Sequence, residues 1–267
     1  MDAVVKFVIP VRHPENSRDW NELKRNLAST VRSISAQQAK NWRGVVVANS
    51  GSDLPTLPSC FSVVWVDFPP NSMHERDSTD RASFFDAVRL DKGSRILAGI
   101  LGTPRTDYTM VVDDDDFVSN ALTSFVEKNK GQNGWYVRDG YVWSEGDPFL
   151  YQYLDFSNLC GSSHIIRTDL LSLPATLNAA SDTYIKNMLG SHIFIRGYLE
   201  KSGSPLAVLP FFGAVYRVGH TGSHSKSSGM LSTFFLQKNL LWNPREVVWR
   251  FLRLRWLSQK LKREFFG

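Results

Sequence analysis

Residues 108–116 read Tyr-Thr-Met-Val-Val-Asp-Asp-Asp-Asp, a short apolar run that ends in four consecutive carboxylates. The pattern predicts a buried strand with Asp113, Asp114, Asp115 and Asp116 at its C-terminal end. Adjacent carboxylates repel one another, so a fold that gathers four of them needs a neutralising partner. Asp oxygens are hard ligands suited to Mg²⁺ or Mn²⁺, and the carboxyl ends of strands are where open α/β sheets bind ligands. The alternative is a solvated loop and helix cap, since Asp caps helices well and Ser119 to Asn129 reads helical. One cap, however, needs only one Asp.

Working outward, β-branched runs alternate with helical spacing. Val4 to Val11 reads as a buried strand, Gly44 to Ala48 as a second, and Val63 to Asp67 as a third. Leu23, Leu27, Val31 and Ile34 give Trp20 to Gln38 a helical period, and Ser83 to Leu101 reads as another helix. The order β-α-β-β-α-β, with strands apolar on both faces, predicts an α/β domain with a mainly parallel central sheet flanked by helices. Beyond Gly131 the pattern changes to aromatic-rich short strands, followed by a helix near Asp182 to Ser202.

The chain has 267 residues, 42% of them hydrophobic and 21% charged, which suits one large globular domain. Its two cysteines, Cys60 and Cys160, form no CxxC pair, so a reducing compartment is expected. No leader pattern opens the chain and no apolar window reaches 18 residues. A cytoplasmic protein is expected.

Charge is distributed unevenly. Residues 243–267 hold seven of the 31 Lys and Arg but only two of the 26 Asp and Glu, so the net +5 belongs to this tail. The tail begins Asn243-Pro244, a cap and first helical position, and beyond Pro244 contains no Pro and no Gly before its last residue. Val247, Phe251, Leu254, Leu261 and Phe265 fall on one side at helical spacing, with Trp249 and Trp256 nearby. This reads as a basic amphipathic C-terminal helix. One reading lays it on an anionic membrane surface, peripheral to the inner face. The other packs the apolar stripe on the domain. Charge balance elsewhere argues against nucleic acid as a partner.

Three segments together carry a family resemblance: the strand ending Ile9-Pro10-Val11, the strand ending Ala48-Asn49-Ser50-Gly51-Ser52-Asp53, and the strand running into Asp113-Asp114-Asp115-Asp116. In order and spacing this resembles a GT-A-fold glycosyltransferase, close to the family-2-like sugar transferases of bacterial polysaccharide and lipopolysaccharide synthesis. The likeness covers about residues 4–225. It implies a Rossmann-like domain over residues 1–242, with a nucleotide-binding half of about 1–116 and an acceptor half of about 117–242.

The resemblance also implies chemistry. A nucleoside-diphosphate sugar, with UDP the nucleotide expected, would give its hexose to a glycan or lipid-linked saccharide acceptor with inversion. A bound Mn²⁺ or Mg²⁺ would neutralise the leaving diphosphate. In the family's DxD pattern the first carboxylate meets donor ribose or sugar and the last meets the metal. Asp113-x-Asp115 and Asp114-x-Asp116 both fit; the first is favoured because Asp113 directly follows the apolar run. Asp113 and Asp115 are then the candidate metal residues, and Asp114 supports the site. His220, in Val218-Gly219-His220-Thr221-Gly222-Ser223-His224, is a candidate further ligand or else a plain turn histidine. Residues 223–229 are a candidate lid.

Direct displacement needs a base for the acceptor hydroxyl. Ser181-Asp182-Thr183 resembles the family's acidic motif, with Ser181 in place of the usual Glu. Asp182 is therefore the candidate base, or alternatively a helix cap. Candidate donor contacts are Pro10, Val11 and Arg12 after the first strand, Asn49 after the second, and Asp91, Lys92 and Arg95 before the aspartates. Gly161-Ser162-Ser163 resembles the segment that lines the donor sugar. Trp135, Tyr136, Tyr141, Trp143, Tyr151 and Tyr153 offer an acceptor platform or simply a core. Two rivals remain open: a metal-dependent phosphotransferase or phosphatase, and a non-catalytic membrane-associated binding protein. Phe117 stands where a haloacid-dehalogenase motif has Thr or Val, and where a calcium loop needs a ligand.

Overall fold

The computed structural model describes residues 3–74, 80–219 and 244–267. Every residue of β1 (Val5–Pro10) is buried, and so is nearly all of β2 (Trp42–Asn49), as strands covered on both faces must be. With β3 (Phe61–Val66) and β4 (Tyr108–Val111) they form a parallel array in the order β3-β2-β1-β4. Helix α1 (Trp20–Ser35) begins where Asp19 accepts the N–H of Glu22 at 2.9 Å. It lays Leu23, Leu27, Val31 and Ile34 against one face of the sheet, beside Phe7 and Ile9. Helix α2 (Arg81–Leu101), capped by Asp80, covers the other face with Ile96, Leu97 and Ile100 against Val8, Val45 and Val47. The alternation of Phe7, Val8 and Ile9 between the two cores follows from the two-residue period of a strand.

The chain runs from β1 outward to β2 and β3, then returns to place β4 on the other side of β1. The crevice at the carboxyl ends of β1 and β4 is therefore the topological switch point, where open α/β sheets bind ligands. Pro10 ends one of these strands and Asp113 follows the other.

Beyond β4 the sheet is mixed. β9 (His164–Arg167) lies antiparallel between β4 and β6 (Gly134–Tyr136), and β10 (Ala207–Val208) closes that edge. A second sheet of five strands has the order β12-β8-β7-β11-β5, formed by β5 (Phe117–Val118), β7 (Gly140–Ser144), β8 (Phe149–Tyr153), β11 (Ala214–Val218) and β12 (Leu254–Trp256). The protein is thus an α/β fold of two mixed sheets flanked by helices, with the expected parallel order in its first half.

Two expected helices are broken. The segment near 182–202 forms a short turn of helix, Asp182–Tyr184, then a π-turn, Ile185–Leu189, and a separate helix α3 (His192–Lys201). The break falls at Gly190, where a Cβ would lie 2.0 Å from the carbonyl oxygen of Arg89. Only glycine lets the chain pass this close to α2. The tail is likewise a helix α4 (Pro244–Leu252), the edge strand β12 and a second helix α5 (Gln259–Phe265). Arg253-Leu254-Arg255-Trp256 alternates with the period of a strand, and β12 pairs antiparallel with β8. Ser258 then restarts the helix by accepting the N–H of Leu261. Phe265 is fully buried against Tyr141, with ring centroids 5.6 Å apart. The last turn therefore docks on the domain, whereas Val248, Trp249, Phe251, Leu252 and Trp256 remain exposed. No described helix is long and apolar enough to cross a membrane.

Candidate functional site

The four aspartates separate by environment. Asp113 and Asp115 are half-exposed, Asp114 is buried at the same cavity wall, and Asp116 is completely enclosed. Asp116 accepts hydrogen bonds from Ser162 Oγ at 2.6 Å, Cys160 Sγ at 3.1 Å and the Arg217 N–H at 3.4 Å. Burial pushes its pKa well above the usual carboxylate range, and the charges of Asp115 and Asp113 push it further. Ser162 Oγ in turn accepts the N–H of Asp113 at 2.8 Å. One serine thus links the enclosed carboxylate to the backbone of the exposed one, so Asp116 anchors the loop.

A cavity of about 430 Å³ opens at the switch point. Pro10 and Arg12 bound it from the end of β1; Asp91, Lys92 and Arg95 from α2; and Asp113, Asp114 and Asp115 from the end of β4. Lys92 Nζ lies 2.5 Å from Asp113 Oδ1. Burial pulls the Lys92 ammonium down, but the charge and hydrogen bond of Asp113, with Asp116 behind it, turn the net shift upward. The pair is closed over by Gly161, where a Cβ would sit 2.7 Å from Asp113 Oδ2 and 3.0 Å from Lys92 Nζ. Phe85 and Val88, two turns and one turn before Lys92 on the same face of α2, and Ile193 of α3 add an apolar surface to the rim.

Arg95 is buried and turned inward. It donates from Nε to both oxygens of Asp91 at 3.0 and 3.1 Å, and from Nη1 to Asn49 Oδ1 at 2.7 Å. Asn49 uses the other end of its amide on the carbonyl of Phe68 at 2.6 Å. Both ends of that side chain are thereby engaged, and Asn49 does not line the cavity. Val11 is also buried away from it, its N–H bonded to the Val47 carbonyl. These two residues brace the site from behind.

Asp182 stands exposed as the first residue of its short helix, with Ser181 capping by accepting the Tyr184 N–H at 3.2 Å. It is not among the residues that line the cavity. His220, with the neighbouring His224, and the candidate lid 223–229 lie outside the described residues. Among the described residues, no group of three or more His, Cys, Asp or Glu is arranged to hold a metal ion. Of the aromatic residues, Trp135, Tyr141 and Tyr151 are buried in the cores, and none of the six lines the cavity.

Sequence reading missed the segment Gly190-Ser191-His192-Ile193, which forms a cavity wall beside α2. Its signal was local: Gly and Ser directly ahead of an apolar-periodic run mark a helix start. Behind this wall a second hollow of about 40 Å³, lined by His164 and His192, continues the cavity inward. His164 is enclosed; burial drives its pKa down to about 3, helped by His192 and Arg196.

The chain matches no known family profile and no curated protein. Similar solved structures include TarS 1–349 from S. aureus, at 12% identity and a TM-score of 0.46 over 80% of this chain and 60% of that one. The same fragment in complex with UDP-GlcNAc aligns at 10% identity with a TM-score of 0.41, over 84% of this chain and 61% of the other. Rv0371C from Mycobacterium tuberculosis H37Rv, in complex with manganese, aligns at 10% identity with a TM-score of 0.38, over 81% and 92%. This chain spans about 60% of the TarS fragment. Likeness at this distance assigns neither ligand nor reaction.

Proposed function

We propose that this protein is a metal-dependent glycosyltransferase of the GT-A type, moving a hexose from a nucleoside-diphosphate sugar to a hydroxyl acceptor. The observation that carries the reading is the convergence of Arg12 and Lys92 with Asp113, Asp114 and Asp115 in one cavity at the switch point. A site for a diphosphate and a divalent cation needs both signs of charge side by side. The volume of about 430 Å³ falls within the range of small-molecule sites.

The residues present fit such a cation. Mg²⁺ and Mn²⁺ are commonly held by one or two carboxylates, with substrate phosphate and water completing the shell. Half-exposed Asp115, with Asp113, supplies that pair, and their exposure supports the Asp113-x-Asp115 register. When bound, the ion would offset charge that builds on the leaving diphosphate. Lys92 adds a fixed cation beside the same oxygens, and Arg12 closes the phosphate side. Arg95, Asn49 and Asp91 keep α2 in register with β2, which holds Lys92 in reach.

An apolar rim marks the acceptor side. Phe85 and Ile193 are exposed at the rim, with Phe194 beside them on α3 and the Arg89 guanidinium 5.4 Å from its ring centroid. This suits a lipid-linked saccharide better than a free sugar. The exposed Trp249, Phe251 and Trp256, interleaved with Arg250, Arg253 and Arg255, suit the interface of an anionic membrane.

Thermal-shift measurements with UDP, GDP, CDP and ADP, each with Mn²⁺ and with EDTA, test the reading. Stabilisation by one diphosphate, lost with EDTA, is expected, because a ligand that binds the native state raises its stability by mass action. No shift with any of the four overturns it.

A further inference from the structure

The cavity walls carry many charges, but few of them can take a proton from a hydroxyl. Arg12, Arg89 and Lys92 are cations. Asp91 is bound by Arg95, and Asp113 by Lys92. Asp114 and Asp115 belong with the phosphate and cation end. Also lining the cavity is the first residue of α3, a histidine.

His192 is built as a base. Its Nε2 lies 3.5 Å from the carbonyl oxygen of Asn158, long for a hydrogen bond but directed. A carbonyl only accepts, so the tautomer that makes this contact carries its proton on Nε2 and its lone pair on Nδ1. Burial draws the imidazole below its ordinary value, as do Lys92 and Arg89; Asp113 and the Asn158 carbonyl oppose them. The enclosed His164 behind it stays neutral. The ring is therefore uncharged at neutral pH.

We infer that His192 is the general base of the transfer reaction, acting from the cavity wall that the Gly190–Ile193 segment forms beside α2. This rests on the glycosyltransferase reading above. In the step, the acceptor oxygen forms a bond to the anomeric carbon while its proton passes to Nδ1 of His192. The bond from that carbon to the diphosphate oxygen breaks, and the electron pair leaves on the diphosphate beside Lys92. No oxidant or further reactant is needed.

The test uses the full chain with Mn²⁺, a panel of UDP-, GDP-, CDP- and ADP-hexoses, and water as acceptor, reading release of nucleoside diphosphate. His192→Gln keeps the size and polarity of the side chain but removes the base. It is expected to bind the nucleoside diphosphate as the wild type does, and to release product at least about 100-fold more slowly. The wild-type rate should fall as pH drops through the imidazole's titration, and the variant should lack that limb. Wild-type turnover by His192→Gln, an unchanged acid limb, or donor binding by the wild type without any release overturns the assignment. A loss confined to Asp182→Asn does the same and gives the role to Asp182. If the wild type binds no nucleotide, the glycosyltransferase reading itself fails, and this inference with it.

Discussion

The Lys92 ammonium lies 2.5 Å from Oδ1 of Asp113, and Gly161 covers the pair so closely that a Cβ there would displace both groups. Gly161→Ala should part the two groups and misplace the phosphate cation. We expect at least about tenfold weaker nucleoside-diphosphate binding, roughly 1.4 kcal/mol, read by calorimetric titration. Unchanged affinity would remove Lys92 from the donor site.

Asp115 and Asp116 are neighbours in sequence with opposite expected phenotypes. Asp115→Asn should abolish the EDTA-sensitive nucleotide shift while leaving the unliganded melting temperature nearly unchanged. Asp116→Ala strands the donors on Ser162, Cys160 and Arg217, which should cost about 2–4 kcal/mol of stability. Urea unfolding of both variants measures the contrast, and equal stability losses would contradict it.

Lys6 is buried in β1 with Nζ donating to the Ile100 and Thr103 carbonyls, and burial lowers its pKa from 10.5 to about 8. Between pH 8 and 10.5 the unfolded chain binds the extra proton. Stability from this group is therefore fully present above pH 10.5 and lost as pH falls through about 8. Lys6→Met should flatten the rise in stability over that window in urea titrations run from pH 7.5 to 10.5. A slope identical to the wild type would mean that Lys6 is not the group responsible.

The tail predicts a division of labour. Trp249→Ser combined with Trp256→Ser, at residues 61% and 64% exposed, should lower partitioning onto vesicles containing phosphatidylglycerol with only a small fall in melting temperature, from loss of the Trp256–Phe149 ring contact. Phe265→Ala should instead destabilise by about 3–5 kcal/mol, since that ring is fully buried. Flotation and thermal unfolding separate the two effects. Equal flotation of the double variant and the wild type would remove the membrane from the tail's role.

Much of the scaffold was legible because local patterns and burial agree there. Val4 to Val11 and Tyr108 to Val112 are short apolar runs of strand length, Leu23 to Ile34 carries a helical period, and the corresponding elements form with ends moved by a few residues. The helices near 182–202 and 243–267 were read as continuous because helical spacing persists through both breaks. Gly190 bends because α2 passes beside it, and Arg253 to Trp256 becomes a strand because β8 offers an open edge. Neither neighbour is visible in a local window.

The site divides in the same way. The sequence by itself determined that carboxylates cluster at a strand end, that Lys92 and Arg95 precede them on a helix, and that the basic excess lies in the tail. Those follow from covalent order and from the periods of helix and strand. Tertiary structure alone decided that Asp113 faces Lys92 while Asp116 is enclosed, that Asn49 braces Arg95 instead of lining the cavity, that Asp182 stands outside it, and that His192 enters it. The physical reason is that alternating residues on one short loop meet different surroundings, and those surroundings come from segments about 20 to 100 residues away.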